Sequence, residues 1–329
     1  MKRYGQLFDD FTCFSNLFSA YKKARKGAVG KPSTQQFSFQ LEPALLELQQ
    51  ELINGRYKPS AYRYFKIFDP KERIISVASF KDRVVHHALI NLLEPIYERC
   101  FIHDSYATRK GKGTHLAINR AQAFMRGHQW FLKTDIDKYF DSINQQVLIA
   151  LLNRKIKDQR LLSVAKGIIQ NGGSNGVGLP IGNLTSQFFA NVYLNPFDHF
   201  VKQQLSAKYV RYMDDFVLFS KNKETLKSYK TAIESYLSAQ LKLHLKEKAT
   251  FINQAANGLT FLGRRIFPKT IRIARPNGKR MLRRMKSKEQ VYRKGGLDQA
   301  AFLQSMNSYW AQLQPFYGLR QEILQGQSA

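Results

Sequence analysis

The chain has 329 residues, 43% hydrophobic and 13% aromatic, which is apolar mass for two or three subdomains and excludes a disordered tail. Its 52 Lys and Arg outnumber 24 Asp and Glu, giving a net charge of +28, and nucleic acid is the partner that best offsets such self-repulsion. Cys13 and Cys100 are too few for a disulfide framework or a cysteine-based zinc site, and no run of residues is apolar enough to span a bilayer or serve as a secretory leader, so a soluble, cytoplasmic protein is expected.

Residues 1–60 read as basic helices. In "EPALLELQQELINGRY", Leu41, Leu45, Leu48 and Leu52 fall at helical spacing, and Asn54-Gly55 ends the segment. "YRYFKIFDPKERIISVAS" alternates apolar and polar residues around Asp69-Pro70, which predicts a hairpin. "FKDRVVHHALINLLEPIYERCF" predicts a helix stopping near Pro95. "WFLKTDIDKYFDSI" predicts a short buried strand entering a loop or helix start. Two helices follow, then the glycine-dense loop "NGGSNGVGLPIGN", then the long helix "LTSQFFANVYLNPFDHFVKQQL". "KYVRYMDDFVLFS" predicts another hairpin. A helix over 224–240, short strands "LKLHLK" and "GLTFLGRRIF", and a basic tail from 269 complete the chain, and this mixture indicates an α+β fold.

Asp214 and Asp215 sit between the two apolar runs of that hairpin. Asp is an ordinary turn residue, but a hairpin tip also lifts acids onto a rigid platform where they can hold a metal. Upstream, "KTDIDKYFDSI" offers Asp135, Asp137 and Asp141. Asp135 directly follows the apolar strand and is favoured as the ligand. A strand-end acid with two more at a hairpin tip suits two Mg²⁺ ions and phosphoryl transfer, because Mg²⁺ takes a few hard oxygens and completes its shell with phosphates.

In order, the chain carries "RIISVASFKDR", "SYATRKGKGTH", "FLKTDIDKYFDSI", "GLPIGNLTSQFFAN", "YVRYMDDFVLF", "LKLHLKEKATFI" and "GLTFLGRRI". This series resembles the sequence blocks of reverse transcriptases over roughly residues 60–268. The resemblance implies a right-hand polymerase fold: an N-terminal helical extension (1–60), a fingers and palm core (61–268) and a helical thumb (269–329). It implies that Asp135, Asp214 and Asp215 are the catalytic, metal-holding carboxylates, joined by the Ile136 main-chain carbonyl. Phe140 then becomes the steric gate against a 2′-hydroxyl, and Arg73 and Lys81 contacts to the incoming dNTP. Arg83 is open between that role and a structural salt bridge, and Lys246 competes with Lys248 for the lysine of the block after the hairpin. Arg109, Lys110 and Lys112, with flanking glycines, read as contacts to the template backbone. Gly263 lies in a primer-grip-like turn.

One block departs from the common family pattern. Where many reverse transcriptases carry Gln before the loop glycine, this chain has Ile181 before Gly182, followed by Ser186 and Gln187. "IGNLTSQ" is similar to the reverse transcriptases of diversity-generating retroelements, which copy a template-repeat RNA with frequent errors opposite adenine. Loss of a polar check on pairing geometry fits that behaviour. The resemblance further implies a small, basic, pentameric accessory protein as partner. Group II intron or retron-like enzymes are the alternative element, and a catalytically silent RNA-binding protein is the alternative class.

Overall fold

The computed structural model describes residues 3–68 and 72–317, with side chains to residue 311. The turn at Asp69-Pro70 and the aromatics Phe316 and Tyr317 therefore lie outside the described side chains.

Four helices open the chain: α1 (Phe8–Thr12), α2 (Phe14–Arg25), α3 (Pro32–Phe39) and α4 (Leu41–Ile53). The expected leucine stripe is what α4 buries, through Leu45, Leu48 and Leu52. An antiparallel ribbon follows, β1 (Arg63–Phe68) against β2 (Glu72–Val77), and it stands largely in solvent with Tyr64, Phe65 and Ile74 exposed. Helix α5 (Phe80–Glu98) starts at Ser79, whose hydroxyl accepts the Asp82 N–H. It does not stop near Pro95. Proline removes one helical hydrogen bond, but Leu93, Ile96 and Tyr97 on either side are buried, and their packing carries the helix past it.

After α6 (Thr114–Gly127) come β3 (Trp130–Asp135), α7 (Tyr139–Ser142), α8 (Gln145–Lys155), α9 (Gln159–Gln170) and α10 (Leu184–His199). The hairpin is β4 (Lys208–Tyr212) and β5 (Asp215–Ser220), followed by α11 (Lys223–Tyr236). "LKLHLK" is not a strand. Leu243 and Leu245 are buried alternately as predicted, yet the segment makes only one bridge, Leu245 to Ile136, and the ladder position beside β3 goes to β6 (Phe251–Gln254). Three short strands, β7 (Leu259–Phe261), β8 (Arg264–Ile266) and β9 (Ile271–Ile273), make a separate sheet, so pairing continues past residue 268 before α12 (Arg275–Arg293) and α13 (Gln299–Tyr317) begin.

The central sheet is antiparallel in the order β4-β5-β3-β6. Both its faces are covered. Leu132, Tyr209, Phe216 and Leu218 join a core with α5, α8 and α10, while Phe131, Val210, Val217 and Phe219 join a second core with α6, β7 and β8. This is why "FVLF" reads as an unbroken apolar run rather than an alternating one. Inside the first layer, Arg211 meets Asp198 with both side chains fully buried. Burial opposes the guanidinium charge, but the facing carboxylate outweighs it and holds Arg211 above its usual pKa.

Two outcomes follow from this packing. Asp198→Asn keeps the shape and strands the Arg211 charge, so it should cost about 3–5 kcal/mol in urea denaturation, and Arg211→Met combined with Asp198→Leu should recover part of it; a loss below ~1 kcal/mol would contradict the assignment. Burial also pushes His86 down to about 4 from 6.5. The folded chain then binds fewer protons than the unfolded one in that window, so stability falls as pH drops from 6.5 toward 4. His86→Gln should flatten this acid limb in thermal melts; an unchanged limb would show that other groups produce it.

Candidate active site

The β3–β5 register sets Asp135 directly opposite Asp215, and the β4–β5 register pairs Tyr212 with Asp215. Met213 and Asp214 are thus the two residues of the turn. Met213 takes φ of 60°, the left-handed choice that a tight hairpin needs at its first central position. Arg211 holds this turn from beneath: its Nη1 donates to the Met213 carbonyl at 2.9 Å and to Asn191 at 3.1 Å, while Nε and Nη2 clasp Asp198.

The structure brings all three predicted carboxylates together. Burial, and then the neighbouring Asp135 carboxylate, raise Asp214 well above the usual carboxyl range. Asp215 is raised too, chiefly by burial, although the Lys133 ammonium donates to its Oδ1 and pulls the other way. Asp135 Oδ1 is buried and meets no hydrogen-bond donor. Among the described residues no three acids already form a closed ligand set, and Lys133 is engaged with Asp215. Three mutually repelling carboxylates with an orphaned oxygen nevertheless fit a hard divalent cation, which would relieve both defects. The bridge from Ile136 to Leu245 is closed by Asp137 N–H to the His244 carbonyl and Lys246 N–H to the Asp135 carbonyl, which leaves the Ile136 carbonyl out of the bridge's bonds.

Around the acids, main-chain bonds tie distant segments together. The Leu179 N–H donates to the Phe140 carbonyl and the Gly178 N–H to Ile143, both at 2.8 Å, fastening the glycine loop to the segment after β3. The same loop is fastened to the ribbon, where the Ser76 N–H donates to the Ile181 carbonyl at 2.7 Å. Gly182 has φ of 112°, and a Cβ there would lie 2.7 Å from Ile75 Cγ2, so only glycine lets the ribbon approach this closely. Arg73 lies two residues before Ile75 on β2, hence on the same face of the ribbon, and has no partner among the described residues. Phe140 is half-buried and packs edge-on to Tyr139. Behind the ribbon, Lys31, Arg83, His87 and Asn183 line a cavity of about 310 Å³.

The other expected contact residues have partners within the chain or stand exposed. The Arg109 guanidinium clasps Glu98 and donates to the Ile102 and Ser105 carbonyls. Lys112 is drawn onto the His103 carbonyl at 2.9 Å and over the Tyr106 ring. Lys110 alone of the three is exposed with no partner among the described residues. Lys81 pairs with Glu51 at 2.6 Å, tying α5 to α4. The Arg83 guanidinium donates to the Ala24 carbonyl rather than to a carboxylate. Lys248 is exposed on a short turn, whereas Lys246 is bonded through its main chain to the acid strand. Gln187 is exposed in the first turn of α10. Gly263 and Leu262 both take positive φ in the two-residue turn between β7 and β8.

Sequence reasoning missed Lys133 and Arg211. Lys133 was detectable in principle: it lies two residues before Asp135, on the same strand face. Nothing local marks Arg211, whose partner is thirteen residues away on another element.

These roles separate under substitution. Arg109→Met should lower the melting temperature and leave the salt dependence of RNA binding unchanged. Lys110→Ala should leave stability unchanged and reduce the slope of log K against log salt by about one. The reverse pattern, measured by anisotropy over a salt series, would restore Arg109 as a template contact.

Comparison with known proteins gives the family. The family described as reverse transcriptase (RNA-dependent DNA polymerase) matches residues 65–266, more than half of the chain. Protein YkfC of Escherichia coli K12 is 27% identical over 275 residues, spanning 68% of this chain and 71% of that protein. The group II intron-encoded protein LtrA of Lactococcus lactis is 25% identical over 326 residues, spanning 77% of this chain and 54% of LtrA, so the chain spans about half of that relative's length. In fold, the structure of apo telomerase from Candida tropicalis is similar, with a TM-score of 0.52, 13% identity, and coverage of 70% of this chain and 53% of that one. No helix among the described residues is long and apolar enough to cross a membrane. With a fingers-like ribbon, an antiparallel palm and three gathered carboxylates, the chain belongs to the reverse transcriptase family of RNA-directed DNA polymerases.

Proposed function

We propose that this polymerase copies a template-repeat RNA into cDNA with misincorporation opposite adenine, as part of a diversity-generating retroelement acting in the cytoplasm of a bacterial, phage-infected or archaeal cell. The observation that carries the reading is Ile181, half-buried in the loop strapped between Phe140 and the ribbon, at the position where the common pattern has Gln. An apolar side chain there contributes bulk but no hydrogen bond, so a mispair loses less relative to a correct pair than it would beside an amide.

In this reading Asp135, Asp214, Asp215 and the Ile136 carbonyl hold two Mg²⁺ ions, which activate the primer hydroxyl and stabilise the leaving pyrophosphate. Arg73 orients the triphosphate from the ribbon, Phe140 excludes the ribose 2′-hydroxyl, and Lys110 with the basic thumb helix α12 follows the template–primer backbone. A pentameric basic accessory protein would dock on the enzyme and share the RNA. The intron reading is favoured by a separate observation, the similarity to LtrA. It expects the same chemistry carried out accurately.

Primer extension on an adenine-containing RNA, with Mg²⁺, dNTPs and product sequencing, distinguishes the two. Errors concentrated opposite adenine, reduced several-fold by Ile181→Gln and absent with an Asp214→Ala/Asp215→Ala chain that makes no product, are the expected result. Accurate copying by the unaltered chain would assign it to the intron group instead.

A further inference from the structure

Helices α5, α8 and α10 enclose a second cavity, about 420 Å³, lined by none of the residues expected to serve polymerisation. It sits at the opposite end of α10 from the glycine loop: Gln187 and His199 are twelve residues apart, roughly 18 Å along a helix. Three observations describe it. Arg99, Arg154 and Lys155 line it with no acidic partner among the described residues, and no lining residue is acidic. Leu151, Val192 and Pro196 supply apolar wall. Two of its lining residues also carry hydrogen-bonding atoms that are shut off from solvent and have no partner among the described residues: Tyr97 Oη, in a residue only 3% exposed, and Asn195 Oδ1.

A buried polar atom without a partner calls for something to meet it, and two of those in this chain belong to residues of one cavity wall. The phenol can donate and the amide oxygen can accept, and the amide turns readily about its terminal torsion to face the cavity. His199 is already committed, through Nε2 to the Cys100 carbonyl at 2.8 Å, so it does not compete for the ligand. A flat ligand with both donor and acceptor on one edge, apolar faces and an attached anion answers every feature, and the volume lies in the range of small-ligand sites.

We propose that this cavity binds one nucleotide unit, its base against Leu151, Val192 and Pro196 with its edge on Tyr97 and Asn195, and its phosphate at Arg99, Arg154 and Lys155. The unit is either a free nucleotide or an unpaired residue of an RNA strand held away from the acids. In the second case the pocket anchors the template RNA on the back of the enzyme.

Cys100 lies in the cavity wall and Cys13, the other cysteine, lies outside it, so each full-length chain carries its own reporter and control. Alkylation by iodoacetamide would be followed by peptide mass spectrometry without Mg²⁺ or dNTPs, in the presence of AMP, UMP, an oligoadenylate RNA or inorganic phosphate. Nucleotide or RNA should slow Cys100 alkylation at least about threefold and leave Cys13 unchanged. Tyr97→Phe should weaken that protection about tenfold while keeping or raising the melting temperature of the free chain, because it removes an unsatisfied hydroxyl. Arg154→Ala with Lys155→Ala should abolish it. Protection by mononucleotides identifies a free nucleotide as the ligand, and protection by RNA alone identifies a strand. The proposal is overturned if no probe protects, if phosphate protects as well as nucleotide, or if Tyr97→Phe binds like the unaltered chain.

Discussion

The buried contact between Arg211 and Asp198 positions the acid-bearing turn. One guanidinium links α10, through Asp198 and Asn191, to the carbonyl of Met213, the residue before Asp214. Tyr209 adds a hydrogen bond to the same carboxylate at 3.0 Å. A fully desolvated ion pair is a poor source of net stability, since apolar side chains of equal volume do as well. What it supplies is a fixed location: a charge that cannot be left unpaired determines where the hairpin tip stands relative to the helix behind it. Asp104 extends the constraint, accepting from Arg120 and Lys202 while its carbonyl receives the Arg211 N–H.

On that anchored platform the sheet register does the rest. Antiparallel pairing sets Asp135 across from Asp215, and a one-residue slip would carry one of them to the opposite face. The slip is opposed by two cores at once, because Phe131 and Leu132 are committed to different layers. The nucleotide side of the site is less rigidly built. It depends on a few main-chain bonds from the glycine loop to Phe140 on one side and Ser76 on the other, with the exposed ribbon carrying Arg73. The acids are therefore held by packing and the ribbon by a strap of main-chain bonds.

Most elements were legible because their signals are local. The leucine stripe of α4, the alternation of β1 and β2, and the apolar runs around the two acids each predict the element that forms. Failures occurred where a distant partner outweighed the local signal. Pro95 marks an ending, but buried neighbours on both sides carry α5 through it. "LKLHLK" alternates like a strand, but the edge of β3 is taken by residues 251–254. Arg109, Lys81 and Lys112 have the composition of a nucleic-acid surface, and no local signal shows that they meet Glu98, Glu51 and the His103 carbonyl.

By itself the sequence determined the family, the α+β composition, the positions of Asp135, Asp214 and Asp215, and the basic character that suits nucleic acid, because these rest on residue type and on spacings of a few residues. The tertiary structure alone decided which cations remain free, how the acids are loaded by Lys133 and held by Arg211, and that α5, α8 and α10 leave a cavity at their far end. Those properties depend on which side chains meet across tens of residues, and pairing at that range is set by packing rather than by any local pattern.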